Sequence, residues 1–163
     1  MLFLTNDLTN KRISYKAKLI ANSVERAVNK TTHGIGLTSA QAFILGYIYN
    51  NSDKKICQKD IENNFNIKHP TAAGILKRLE ENGFIKCVPS SDDRRFKLIE
   101  QTQKALDLHE EIVSQIDAVE SSALAGLDED EKRELNRLLD KVIANVVPDN
   151  CSPVFSLEKG EDL

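Results

Sequence analysis

Tryptophan is absent from this chain, and only three of its 163 residues are cysteine. Cys57, Cys87 and Cys151 are an odd number, spaced 30 residues or more apart, with no Cys-x-x-Cys pair. That argues against a disulfide framework and a structural zinc site, and for a reducing, cytoplasmic setting. The three histidines, His33, His69 and His109, are scattered; one turn beyond His109 stands Val113, not a second histidine. No metal ligand set is therefore expected. The chain carries no Gly-rich phosphate loop, no His-Glu-x-x-His and no credible Ser-His-Asp or Cys-His set, so neither an enzyme nor a cofactor is expected. No apolar run approaches the roughly 20 residues of a membrane span. The N-terminal MLFLTNDLTNKR lacks a basic segment before its short apolar start and has no small-residue cleavage site, so it reads as mature protein.

What is present is an ordinary globular composition, 40% hydrophobic and 29% charged, in a length that suits one domain with a real core. The net charge of −3 hides a segregation. Residues 1–53 carry six basic and three acidic side chains, residues 54–97 ten and six, and residues 98–163 six and sixteen. The middle is a basic head on an acidic body. Attraction to phosphate acts over a Debye length, roughly 8–10 Å, so such a head can bind nucleic acid although the whole is acidic. The alternative is a solvated charged face.

The apolar pattern is mostly helical. From about Leu8 to Thr32, residues Ile13, Ala17, Ile20, Val24, Ala27 and Val28 recur at spacings of three and four, one stripe on a long helix. Gly34 and Gly36 stop it. Thr38, with Gln41 three residues on, opens a second helix ending at Asn50-Asn51. A third spans Cys57 to Asn64, and Asn66-Ile67-Lys68 makes a turn. Pro70 sits in the first turn of a fourth helix that runs to Asn82 and is capped by Gly83. Its inner face is Ala72, Ile75, Leu76 and Leu79. Residues 84–88 and 96–99 read as a hairpin around a polar tip, Pro89 to Arg95. Thr102 opens a fifth helix to about Leu124, and Asp128 a sixth, striped by Leu135, Leu138, Leu139, Val142, Ile143 and Val146. After Pro148 the chain is acidic and reads as a flexible tail.

Helix, tight turn, helix and Arg-tipped hairpin together form a unit that fits DNA: one helix for the major groove, the hairpin for the minor groove or phosphates. The long outer helices are expected to pack together and against a second copy; their alternative is to cover a monomer's core. A two-fold dimer would set two reading helices one DNA turn apart, ~34 Å.

The runs LTSAQ (37–41), QKDIE (58–62), PTAAGILKRLEENGFI (70–85) and DDRRFKLIEQT (92–102) resemble the MarR family of winged helix-turn-helix regulators. The likeness covers about residues 8–147, and the family's wing signature falls on Asp93, Arg95, Leu98 and Thr102. Gln101 and Ala105 depart from it, standing where the family often has Leu and Gly, and Gly74 stands where many members carry a larger or basic side chain.

The resemblance implies a mainly α fold with a small β-hairpin wing: a winged helix-turn-helix at 37–102, a helical dimerisation region at 1–36 and 103–147, and a tail at 148–163. It implies a cytoplasmic, homodimeric DNA-binding regulator, a repressor of a palindromic operator released by a small-molecule effector. Thr71 and Ala73 would face base edges, and Gly74 would allow close backbone approach or contribute nothing. Lys68 would be a further DNA contact. His69, at the helix start, would donate to a phosphate or a base, or be a surface histidine with no role. Lys77 and Arg78 would serve phosphates, with Arg78 alternatively paired to an acidic residue inside the fold. Arg95 would reach the minor groove, Asp93 would orient it, and Arg94 and Lys97 would hold phosphates. Gln58 and Thr38 begin helices, where free N–H groups suit phosphate; plain capping is the other reading. Phe43 and Tyr47 are candidates to line an effector site, although such residues are more often core. The rivals are a winged-helix protein-interaction module without DNA binding and a ligand-dependent activator of the same fold.

Overall fold

A computed structural model of the protein describes residues 12–90 and 97–147. The expected start of the first helix, the wing tip at 91–96 and the tail from 148 lie outside them. Among the described residues seven α-helices and one hairpin follow in order: α1 (Ile13–Thr32), α2 (Ser39–Asn50), α3 (Gln58–Phe65), α4 (His69–Glu81), β1 (Ile85–Pro89), β2 (Lys97–Gln101), α5 (Gln103–Asp107), α6 (His109–Ala123) and α7 (Glu129–Val146). Among the described residues no helix is long and apolar enough to cross a membrane.

Local chemistry explains most boundaries. A 3-10 turn at His33–Ile35 closes α1, and Gly36 follows with φ +78°, a left-handed conformation that glycine adopts without strain. The buried Thr32 hydroxyl lies 2.9 Å from the carbonyls of both Val28 and Leu37, tying the turn to the helix. Thr38 and Gln41 form the expected capping box on α2. Asn66, at φ 48°, turns the chain between α3 and α4. Asn82 and Gly83 (φ +73°) end α4, and the Phe84 amide bonds back to the Leu79 carbonyl at 2.9 Å.

The hairpin is antiparallel, with Ile85 opposite Gln101 and Pro89 opposite Lys97. Its first strand begins one residue later than the pattern suggests, because Phe84 is spent on the turn out of α4, where it is 1% exposed. Residues before α3 add a short third rung: Cys57 bridges Leu98, and the Ile99 amide donates to Ile56 at 2.8 Å. One apolar core joins these elements. Ala42, Ile44, Leu45 and Ile48 of α2 meet Ile61 of α3, Ala72, Leu76 and Leu79 of α4, and Phe84, Ile85, Ile99, Ala105 and Ile112 beyond them.

The single helix expected from Thr102 to Leu124 is two helices, interrupted at Leu108. Thr102 does not cap it with its side chain. Its hydroxyl donates instead to the Gly83 carbonyl at 2.7 Å. Lys104 donates to the Asn82 carbonyl at 2.8 Å and stands over the Phe84 ring. The first turn is thus used to clamp the end of α4, while α6 lies along α1. One straight helix cannot serve both neighbours. At the break, the His109 ring stacks on Tyr49.

Candidate nucleic-acid interface

Helix α4 is amphipathic, and its inner face fixes what the outer face can present. Ala72, Leu76 and Leu79 are buried, so Lys68, His69, Thr71, Gly74, Lys77 and Arg78 stand exposed and Ala73 is half-buried. A Cβ built on Gly74 would meet nothing within 4 Å. Packing therefore does not require glycine there; its effect is to leave a bare stretch of helix backbone beside Thr71. Lys77 is paired with Glu81 at 3.7 Å, but both side chains are well exposed, which makes the pair weak and exchangeable.

The hairpin stands beside this helix. The Cys87 amide donates to the Glu80 carboxylate at 3.0 Å, linking β1 to α4. At the other end of the hairpin, the Gln101 side-chain amide donates to the Leu45 carbonyl at 2.8 Å and anchors β2 to α2. A notch of about 180 Å³ between helix and hairpin is lined by Gln58, Ala73, Lys77, Glu80, Cys87 and Lys97 among others. It brings four of the expected contact residues, from α3, α4 and β2, to one place. Lys97 is exposed at the start of β2, directly after the tip. Asp93, Arg94 and Arg95 lie outside the described residues.

Thr38 and Gln58 both start helices, but they are engaged differently. The Thr38 hydroxyl receives the Gln41 amide at 3.3 Å, and its own amide donates to the Gln41 side chain at 2.9 Å, so its groups serve the cap. Gln58 instead turns toward α4. Its Nε2 lies 3.0 Å from Glu62 Oε1 and 2.9 Å from His69 Nδ1, and His69 Nδ1 lies 2.7 Å from the same Glu62 oxygen. Glu62 was not singled out by sequence. The spacing of Gln58 and Glu62, one helical turn apart, was the signal available; the link to His69 across the turn was not visible.

Phe43 lines an apolar cleft of about 350 Å³ with Val24 of α1 and Phe65, Ile67 and Ile75 of the helix-turn-helix. Tyr47 is not among its lining residues. It packs edge-on against Phe65, with ring centroids 5.8 Å apart, and burial pushes its hydroxyl pKa up. Burial, followed by nearby Asp60, raises the Cys57 thiol; burial, followed by Glu80, raises Cys87. Both therefore remain protonated, poor nucleophiles. Among the described residues no group of three or more His, Cys, Asp or Glu side chains is placed to hold a metal.

A sequence model described as MarR family matches residues 35–95. The HTH-type transcriptional regulator MgrA of Staphylococcus aureus is 32% identical over 115 residues, 71% of this chain and 76% of that protein. The structure is similar to that of a MarR family transcriptional regulator from Listeria monocytogenes complexed with a 26mer DNA, with a TM-score of 0.79 and 27% identity over 86% of this chain and 92% of that one. It is also similar to the transcriptional regulator SlyA, with a TM-score of 0.80 and 28% identity over 86% and 97% of the two chains.

Proposed function

The chain belongs to the MarR family of transcriptional regulators, and from that premise we propose that it is a homodimeric repressor that reads a palindromic duplex operator and leaves it when a small molecule binds. The observation that carries DNA binding is the outer face of α4. It offers a hydroxyl at Thr71, a bare backbone at Gly74 and cations at Lys77 and Arg78, all solvent-facing on one helix, with Lys68 exposed just before its first turn. Small side chains let the helix approach base edges, and the flanking cations suit phosphates. Lys97, exposed at the start of β2, adds a cation on the hairpin beside it. The regulator from Listeria monocytogenes, of like fold, is complexed with DNA.

Dimerisation is supported by apolar surface left uncovered among the described residues. Leu138, Leu139, Val142, Ile143 and Val146 of α7 are 37–70% exposed, and Ile13, Leu19 and Ile20 of α1 more than half exposed. Aliphatic stripes of this size on long helices mark an interface. The apolar cleft at Phe43 is the proposed effector site, because it touches both α1 and the helix-turn-helix. An apolar ligand wedged there would alter the angle between them, and a coupling of about 1–3 kcal/mol changes DNA affinity roughly 5–150-fold. Tyr47, which braces Phe65 from the other side, would act on its shape.

Selection from a random duplex pool tests the reading. Enrichment of an inverted repeat with half-sites about one helical turn apart is expected. A folded protein that enriches no sequence would sink it. Affinity for the selected duplex should fall steeply with salt, with a log–log slope near −0.9 per phosphate contacted.

A further inference from the structure

Glu62 is a charged residue in an unusual place: it is 8% exposed, inside the helix-turn-helix. A carboxylate removed from water must be satisfied by donors. Its donors come from both helices of the motif. Gln58 Nε2 and His69 Nδ1 reach Oε1 at 3.0 and 2.7 Å, and Lys59 Nζ reaches Oε2 at 3.3 Å. The hydrogen bond from Gln58, with those from His69 and Lys59, holds the Glu62 carboxyl below the usual glutamate range against the opposing effect of burial, so it is ionised at neutral pH.

An ionised oxygen 2.7 Å from a ring nitrogen requires a hydrogen between them, and that hydrogen sits on Nδ1. The 2.9 Å approach of Gln58 Nε2 to Nδ1 is then a contact between two donors that share one acceptor, not a bond. Nε2 becomes the outward atom of a ring whose side chain is 75% exposed at the first residue of α4. A carboxylate behind a histidine fixes both its tautomer and its ring plane.

We propose that Glu62 is a positioning residue for DNA recognition, which locks His69, with Gln58 beside it, so that the imidazole Nε2 faces one nucleotide of the bound duplex. The assignment rests on the DNA-binding reading above. Glu62 itself touches no DNA; it sets which atom of His69 does, and it ties the start of the reading helix to the helix before it.

A double-mutant cycle on the duplex selected by the wild-type protein tests this, together with 15N NMR of the His69 ring in the free protein. Glu62→Gln keeps the shape and one acceptor oxygen. It is expected to weaken binding roughly fivefold or more in the wild-type background and to change it by less than about 1.5-fold in a His69→Ala background, the signature of coupled residues. The ring spectrum of the wild type should report hydrogen on Nδ1, and that of Glu62→Gln a shift toward the Nε2–H form. Equal losses in both backgrounds would reduce Glu62 to a structural role and overturn the assignment. So would an Nε2–H ring in the wild type, a result that needs no variant to fold. A wild-type protein that binds no duplex overturns the DNA reading and this inference with it, whereas wild-type binding with an indifferent Glu62→Gln overturns the inference alone.

Discussion

The segment from Leu37 to Ile112 and the helix α7 are built by opposite rules. In the first, the aliphatic side chains that face inward are nearly all covered, and helix ends are closed by side chains or by glycine turns. In the second, a well-capped helix of 18 residues with a clear apolar stripe buries none of its residues. Both have the composition of helices that pack. The difference is that, among the described residues, one finds its partners within the chain and the other does not. Among the described residues the head is therefore covered from within, and α7, with the exposed half of α1, carries the stripes on which the proposed dimer rests.

The sharpest way to break this contrast is to remove volume from the covered half. Phe84 is 1% exposed, and its ring is held between the α4 exit, the hairpin and Lys104. Phe84→Ala should cost about 3–5 kcal/mol, read as a fall in the urea or thermal midpoint. A shift below about 1 kcal/mol would mean that the core at the hairpin root is loose.

The complementary change is a charge on the uncovered half. Val142→Glu places a carboxylate in the middle of the α7 stripe. It should leave the head folded, because Val142 is exposed and outside the apolar core of the head, and convert the proposed two-chain particle to a single chain in light scattering. An unchanged mass at micromolar concentration would place the dimer contact elsewhere.

How much of this was legible in the sequence follows the range of the forces involved. The capping box at Thr38, the helix start at Asp128, the turn at Asn66 and the start of α4 at Pro70 depend on residues a few positions apart, and the structure has all of them. The stripe on α7 was legible as apolar, but periodicity cannot say whether the covering surface lies in the same chain. The break at Leu108 was missed because its cause is tertiary: Thr102 and Lys104 are drawn to carbonyls at the end of α4, about 20 residues away in sequence. Glu62 was passed over for the same reason, since a surface-looking Gln-Lys-Asp-Ile-Glu run does not disclose that its last carboxylate is buried against the next helix. Recognising the family carried over residue roles that chain periodicity alone does not contain.

A third comparison lies within α4 and its exit, between two glycines with different reasons for being there. Gly83 has φ +73°, so Gly83→Ala should destabilise the chain by about 1 kcal/mol. Gly74 is helical and open, so Gly74→Ala should stabilise the helix by up to about 1 kcal/mol. If the bare backbone at Gly74 is used for close approach to DNA, the stabilised Gly74→Ala protein will nevertheless bind its duplex more weakly. Higher stability with unchanged affinity would remove Gly74 from the interface.

The smallest effect is a pH dependence, and its response to salt distinguishes the buried carboxylate from the exposed ones on α7. The folded chain holds the Glu62 carboxyl below its usual range, chiefly through the bond from Gln58. A depressed carboxylate adds stability that is fully present above the ordinary glutamate pKa and is lost as pH falls through the folded value. Glu62→Gln removes that contribution. The stability gap between wild type and variant should therefore be widest at neutral pH and shrink as pH falls through the lowered folded-state value. Glu129 and Glu134 on α7 are also shifted down by Lys132 and Arg137, but these pairs are exposed and salt-screened. Their replacement by glutamine should leave a gap that salt abolishes, whereas the gap at Glu62 should survive it. A Glu62 gap that salt erases, or one that does not change with pH, would place its carboxylate in water and dissolve the distinction between the two halves at this residue.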